Sequence, residues 1–130
     1  MMWHDYDYAL LYLVPRVAAG ERVCVGVALH SRTARYVAAR TRLDAERARR
    51  VCPAGFDVAL AGRFLAAFEA VAAGGAEAGP IGLLPPSERF HWLTAPRSTV
   101  FQPGAVRAGR TRDAAATFEA LCGEAWGHVS

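Results

Sequence analysis

Lysine and asparagine are absent from this chain, and Ile81 is its single isoleucine. All 15 basic residues are arginine. Together with abundant alanine, this usage fits codon bias in a GC-rich genome, so arginine content is not by itself a nucleic-acid signature. It also weakens any inference from a pI of about 9.1. Paired cysteines are missing too. Cys24, Cys52 and Cys122 form no CxxC spacing and are odd in number, which reads as buried free thiols in a reducing compartment. Nothing near any of them would activate it as a nucleophile. No apolar run is long enough to span a bilayer, so no membrane partner is expected. The stretch "MMWHDYDYALLYLVPR" lacks a positive leading region and carries two aspartates ahead of its apolar part. It does not read as a signal peptide, and the expected compartment is the cytoplasm.

Motifs that would define an enzyme are also lacking. There is no G-x-S-x-G elbow, no phosphate loop ending in GK[ST] and no GxGxxG fingerprint, so no cofactor is expected. The glycines of "AAGGAEAG" follow a predicted helix rather than precede one, which is the wrong side for cradling phosphate. His4, His30, His91 and His128 are scattered without HxH or HxxxH spacing, and no metal ligand is assigned. Ser87, Ser98 and Thr99 flank His91, so a Ser/His arrangement can be drawn. Glu88 is the sole carboxylate close to it in sequence. A nucleophile needs a base held within hydrogen-bond reach, so no catalytic residue is named. An enzyme using His91 as general base ranks below a binding role.

What is present is a single domain, residues 1–130, whose 53% hydrophobic content suffices for a core without disulfides or metal. "YDYALLYLV" alternates Tyr6, Tyr8, Leu10 and Tyr12 with Ala9, Leu11 and Leu13, which predicts a central strand with two largely apolar faces. "ERVCVGVALH" predicts a second strand, with Val23, Val25, Val27 and Leu29 on one side and the small Cys24, Gly26 and Ala28 on the other. "RYVAARTR" predicts a third, completing an antiparallel meander. The period then changes to 3.6. Asp44, Asp57 and Asp113 are N-caps for three predicted helices. On the longest, Ala61, Phe64, Leu65, Phe68 and Val71 form one stripe, closed by Gly74 and Gly75. "GGAEAGPIGLLPPSER" reads as a packed loop, and Pro103-Gly104 as a turn within late strand-like sequence. The expected fold class is α+β, an antiparallel sheet with helices covering one face.

Three blocks, "YDYALLYLVPR", "ERVCVGVALHS" and above all "RFHWLTAPRSTVFQ", resemble the bacterial family known as domain of unknown function 3037. The resemblance covers nearly the whole chain. It implies a small cytoplasmic protein with no established activity. Some members are encoded beside a protein of HipA-like kinase fold, which implies a partner role. Cys24 stands where the resemblance leads one to expect asparagine, so a polar role at that position would be lost here.

The candidate site is "RFHWLTAPRSTVFQPG". Arg89 and Arg97 are forked donors suited to carboxylate or phosphate, Ser98 and Thr99 add hydroxyls, and Trp92 is an anchor beside His91. If extended, the segment puts Phe90 and Trp92 opposite Arg89 and His91. If it makes a helical turn, Arg89, Trp92 and Leu93 come together. The structural alternative is that the arginines cap carbonyls or form internal ion pairs. Two basic blocks frame the chain: Arg32, Arg35, Arg40, Arg42, Arg47, Arg49 and Arg50 within 32–50, and Arg89, Arg97, Arg107, Arg110 and Arg112 within 87–112. The expected function is a non-enzymatic adaptor that binds a partner protein through the Arg/Trp-rich loop and the sheet edge. The alternative is nucleic-acid binding or processing, if the fold merges the two blocks into one surface.

Overall fold

The computed structural model describes residues 2–15, 22–97 and 100–126. Its five strands are β1 (His4–Leu13), β2 (Val23–Ser31), β3 (Tyr36–Thr41), β4 (Phe101–Pro103) and β5 (Arg107–Thr111). Four α-helices accompany them: α1 (Ala45–Val51), α2 (Val58–Ala73), α3 (Pro86–Thr94) and α4 (Ala114–Trp126). The sheet is antiparallel, in the order β3-β2-β1-β4, and β5 also pairs with β1. The α+β class holds, with β1 central. Asp44, Asp57 and Asp113 each accept an N–H from the first turn of their helix.

Helices cover both faces of the sheet, not one. Leu11, Leu13, Val25 and Ala28 pack against Leu65, Phe68 and Val71 of α2, Ala48 of α1, and Phe90 and Leu93 of α3. On the other face Val27 and Leu29, with Tyr6, Tyr8 and Leu10, pack against Phe118 and Cys122 of α4. The reason lies in β1: both of its faces are apolar, so each has to be buried. Removing one large buried ring, such as that of Phe68, costs about 3–5 kcal/mol.

β2 does not keep one face. Leu11 pairs with Gly26 but Tyr12 pairs with Cys24, so Val25 is an extra residue in a β-bulge. A bulge shifts the side-chain alternation by one. Val23 and Val25 therefore join the core under α2, while Val27 and Leu29 join the core under α4. The small face serves close approach as expected, since a Cβ on Gly26 would stand 3.0 Å from that of Leu11.

Pro103-Gly104 is not a chain reversal. β4 and β5 lie along the same edge of β1, and the Gly104 N–H donates to the Leu10 carbonyl at 2.7 Å between them. The stretch 104–106 is an irregularity within one broken edge strand. The opposite edge, β3, is blocked at its end by Glu69, whose carboxylate accepts from both the N–H and the hydroxyl of Thr41.

Candidate functional site

Helix α3 replaces the extended alternative for residues 86–94. Pro86 occupies the first helical position, where its missing N–H is no loss. Pro96 pushes Ala95 into extended conformation and stops the helix. Successive side chains on a helix diverge by about 100°. Arg89 and His91 therefore leave α3 on different sides, Arg97 lies beyond its end, and the three do not converge.

Arg89 turns inward and is 9% exposed. Its Nη1 donates to the carbonyls of Val71 (3.0 Å) and Ala72 (2.6 Å), and its Nε donates to Leu84 (3.0 Å). The carbonyls at a helix end lack partners in the next turn; here Val71 also accepts the Gly74 N–H at 3.2 Å. The chain leaves α2 through Gly74 at φ +78°, and a Cβ there would stand 2.8 Å from Arg89 Nη1. Glycine thus serves both the backbone turn and the guanidinium. Arg89 is a clamp between α2 and α3, with its Nε and Nη1 directed at this chain's own carbonyls.

Arg97 closes α3 in a similar way. Nη1 donates to Leu93 (3.1 Å) and Ala95 (3.2 Å), and Nη2 to Trp92 (3.0 Å). Its guanidinium lies 4.8 Å from the Trp92 ring centroid and 5.6 Å from that of Phe64. Trp92 is half-buried against the core under α2. Burial lowers the pKa of Arg97, but a guanidinium stays charged at any ordinary pH. Among the described residues no carboxylate pairs with it.

Beside Arg97 opens an apolar groove of about 680 Å³, lined by Phe56, Leu60, Phe64, Pro96, Val100 and Phe101 among others. The Phe64 and Phe101 rings stack at 4.6 Å. Leu60 is 56% exposed and Val100 38%. Sequence reasoning missed this feature. One signal was available: Leu60 stands one turn before Phe64 and widens the Ala61–Phe64–Leu65–Phe68–Val71 stripe of α2 at its edge.

His91 is exposed and lines a separate cleft of about 730 Å³ with Asp5, Asp7, His30, Arg32, Ser87 and Thr94. Asp7 and His30 face each other across β1 and β2, and the His30 ring lies 5.6 Å from Phe90. Among the described residues neither imidazole of this cleft makes a hydrogen bond that would prepare a base, and no group of three ligating side chains is placed to hold a metal. Burial raises the pKa of Cys24, Cys52 and Cys122, which keeps these free thiols protonated. Ser98 and Thr99 lie outside the described residues.

The two basic blocks meet only in part. Arg32 and Arg35 sit in the β2–β3 turn, at the sheet end where β5 brings Arg110 and Arg112. Arg42, Arg47, Arg49 and Arg50 lie past the other end of β3, about 20 Å of strand away. Some charge is internal: Arg40 grips Glu119 of α4 through two bonds of 2.7 Å, and Arg110 pairs with Asp5 at 3.5 Å. No helix among the described residues is long and apolar enough to cross a membrane.

No curated protein and no solved structure matches this chain. The three sequence blocks fall on β1, on β2, and on α3 running into β4, which are the elements that build the core, the clamp and the groove. A family model covers nearly the whole of this arrangement, residues 8–125, and the chain belongs to the family it describes, protein of unknown function DUF3037.

Proposed function

We propose that this chain is a non-enzymatic interaction module that docks a partner protein in the groove between α2 and Pro96, Arg97, Val100 and Phe101. The observation that carries the reading is the groove itself: Leu60 and Val100 stand exposed over the stacked Phe64 and Phe101, with the unneutralised Arg97 at the rim. Monomeric surfaces rarely leave such an apolar recess open without use. A complementary segment would insert one or two apolar side chains and offer a carboxylate to Arg97, while Trp92 holds that cation in place. The family resemblance points to a HipA-like kinase-fold protein encoded nearby as the first partner to try. Co-expression of the two, with this chain carrying Leu60→Asp, tests the reading. Leu60 is exposed, so folding is expected to survive within about 0.5 kcal/mol. Capture of the kinase-fold protein by the wild type and its loss in Leu60→Asp is the expected result. Equal capture by both chains contradicts the reading.

The nucleic-acid alternative is favoured by one observation, the group Arg42, Arg47, Arg49 and Arg50 exposed around α1. Binding through phosphates weakens steeply with salt through counterion release. A gel shift that persists unchanged from low to high salt, or none at low salt, removes it.

A further inference from the structure

Three arginines line a second, smaller cleft that the partner groove does not use. Arg22, Arg42 and Arg47 line about 380 Å³ together with Val23, Cys24, Asp44, Ala125 and Trp126. Each arginine arrives from a fixed backbone position. Arg42 follows β3 with its N–H on the Val25 carbonyl at 2.9 Å. Arg47 sits one turn into α1, and its N–H donates to Asp44 Oδ1 at 3.1 Å. Arg22 leads into β2 and lies 4.3 Å above the Tyr12 ring. The far wall is fixed as well, because the Trp126 indole N–H donates to the Cys24 carbonyl at 2.9 Å.

The charge balance of the cleft is uneven. Among the described residues Asp44 is its single acid, and that carboxylate is already engaged in capping α1. The end of α4 at Trp126 adds about half a negative charge. Among the described residues no carboxylate forms an ion pair with Arg22, Arg42 or Arg47. Three like charges around one recess repel one another, and an anion entering the recess relieves that repulsion. Guanidinium forks match phosphate oxygens in pairs. A dianion fits the surplus better than a single carboxylate, and the volume lies near the lower bound for small-molecule sites, about 300 Å³.

We propose that the Arg22–Arg42–Arg47 cleft binds a phosphate dianion, either free or as the phosphomonoester of a small molecule. The indole N–H resonance of Trp126, assigned with Trp126→Phe, reports on the cleft wall. Titration of the full chain with inorganic phosphate and with adenosine monophosphate is expected to shift it saturably. The double variant Arg42→Gln/Arg47→Gln is expected to weaken binding about a hundredfold, about tenfold per lost fork, while Arg107→Gln leaves it unchanged. All three side chains are exposed, and an unaltered unfolding midpoint confirms that the double variant is folded. Should the double variant not fold, Arg22→Gln alone serves, with a tenfold loss expected. Tighter binding of the nucleotide than of phosphate identifies an organic phosphomonoester, and equal binding identifies phosphate itself. No saturable response to either probe, a response that survives Arg42→Gln/Arg47→Gln, or a response only to a single-stranded oligonucleotide overturns the proposal.

Discussion

Arg89 and Arg97 each end a helix by donating to its last carbonyls, Arg89 to Val71 and Ala72 of α2, Arg97 to Trp92 and Leu93 of α3. The residue type is the same and so is the bonding. The surroundings differ. Arg89 is enclosed by its own chain, between the Gly74 backbone and the loop at Leu84. Arg97 lies between two aromatic rings at the wall of an open groove. A buried cation whose Nε and Nη1 both donate to its own chain's carbonyls holds the fold together and has little to offer a ligand. A half-buried cation with the same bonds keeps its charge available to a partner, because Coulomb attraction needs proximity rather than a free donor.

Replacing each arginine separates these roles. Arg89→Met removes the side-chain donor from the Val71, Ala72 and Leu84 carbonyls and is expected to lower the unfolding free energy by about 3 kcal/mol, measured by urea denaturation. A loss below about 1 kcal/mol would remove the clamp. Gly74→Ala forces a side chain onto a φ of +78° and against the same guanidinium. About 2 kcal/mol is expected there, and it should add only in part to the Arg89→Met loss, since the clash disappears with the guanidinium while the strain of the positive φ remains. Arg97→Met is expected to cost only about 1 kcal/mol, its carbonyls being reachable by water. Partner capture should nevertheless fall with it.

The smallest effect concerns His30, which packs on Phe90 one residue from Arg89. Burial lowers its pKa from 6.5, Asp7 acts in the opposite direction, and Arg89 adds to the lowering. The unfolded chain therefore takes up this proton more readily than the folded one. Stability contributed here is present above the unfolded value and is lost as pH falls through about 6.5. The His30→Gln chain should lack that decline, as read from urea midpoints at neutral and mildly acid pH. A decline of the same size in both chains would assign the pH effect elsewhere.

Much of this architecture could be read from the chain. The two faces of β1, the alternation of β3, the three aspartate caps and the stripe of α2 all follow from local spacing, which is where side-chain periodicity acts. The departures arise where distant residues decide. The Val25 bulge depends on how β2 meets β1 and has no local spacing of its own. α3 is short, polar and opened by two prolines, so its pattern resembles a loop. The inward turn of Arg89 requires the end of α2, brought to it across the Gly/Pro-rich loop, and nothing in "SERFHW" encodes that meeting. Leu60 and Val100 are far apart in sequence, and only the fold makes them walls of one groove.

Hydrogen–deuterium exchange of the chain with and without a kinase-fold protein proposed as its partner tests the division between clamp and groove most directly. New protection is expected over residues 56–64 and in the segment ending at 97–101. The peptides over 71–74 and 84–89, already held by Arg89, should exchange at the same rate in both states. Protection confined to the clamp, or placed on the α4 face, would contradict the assignment of the partner to this groove.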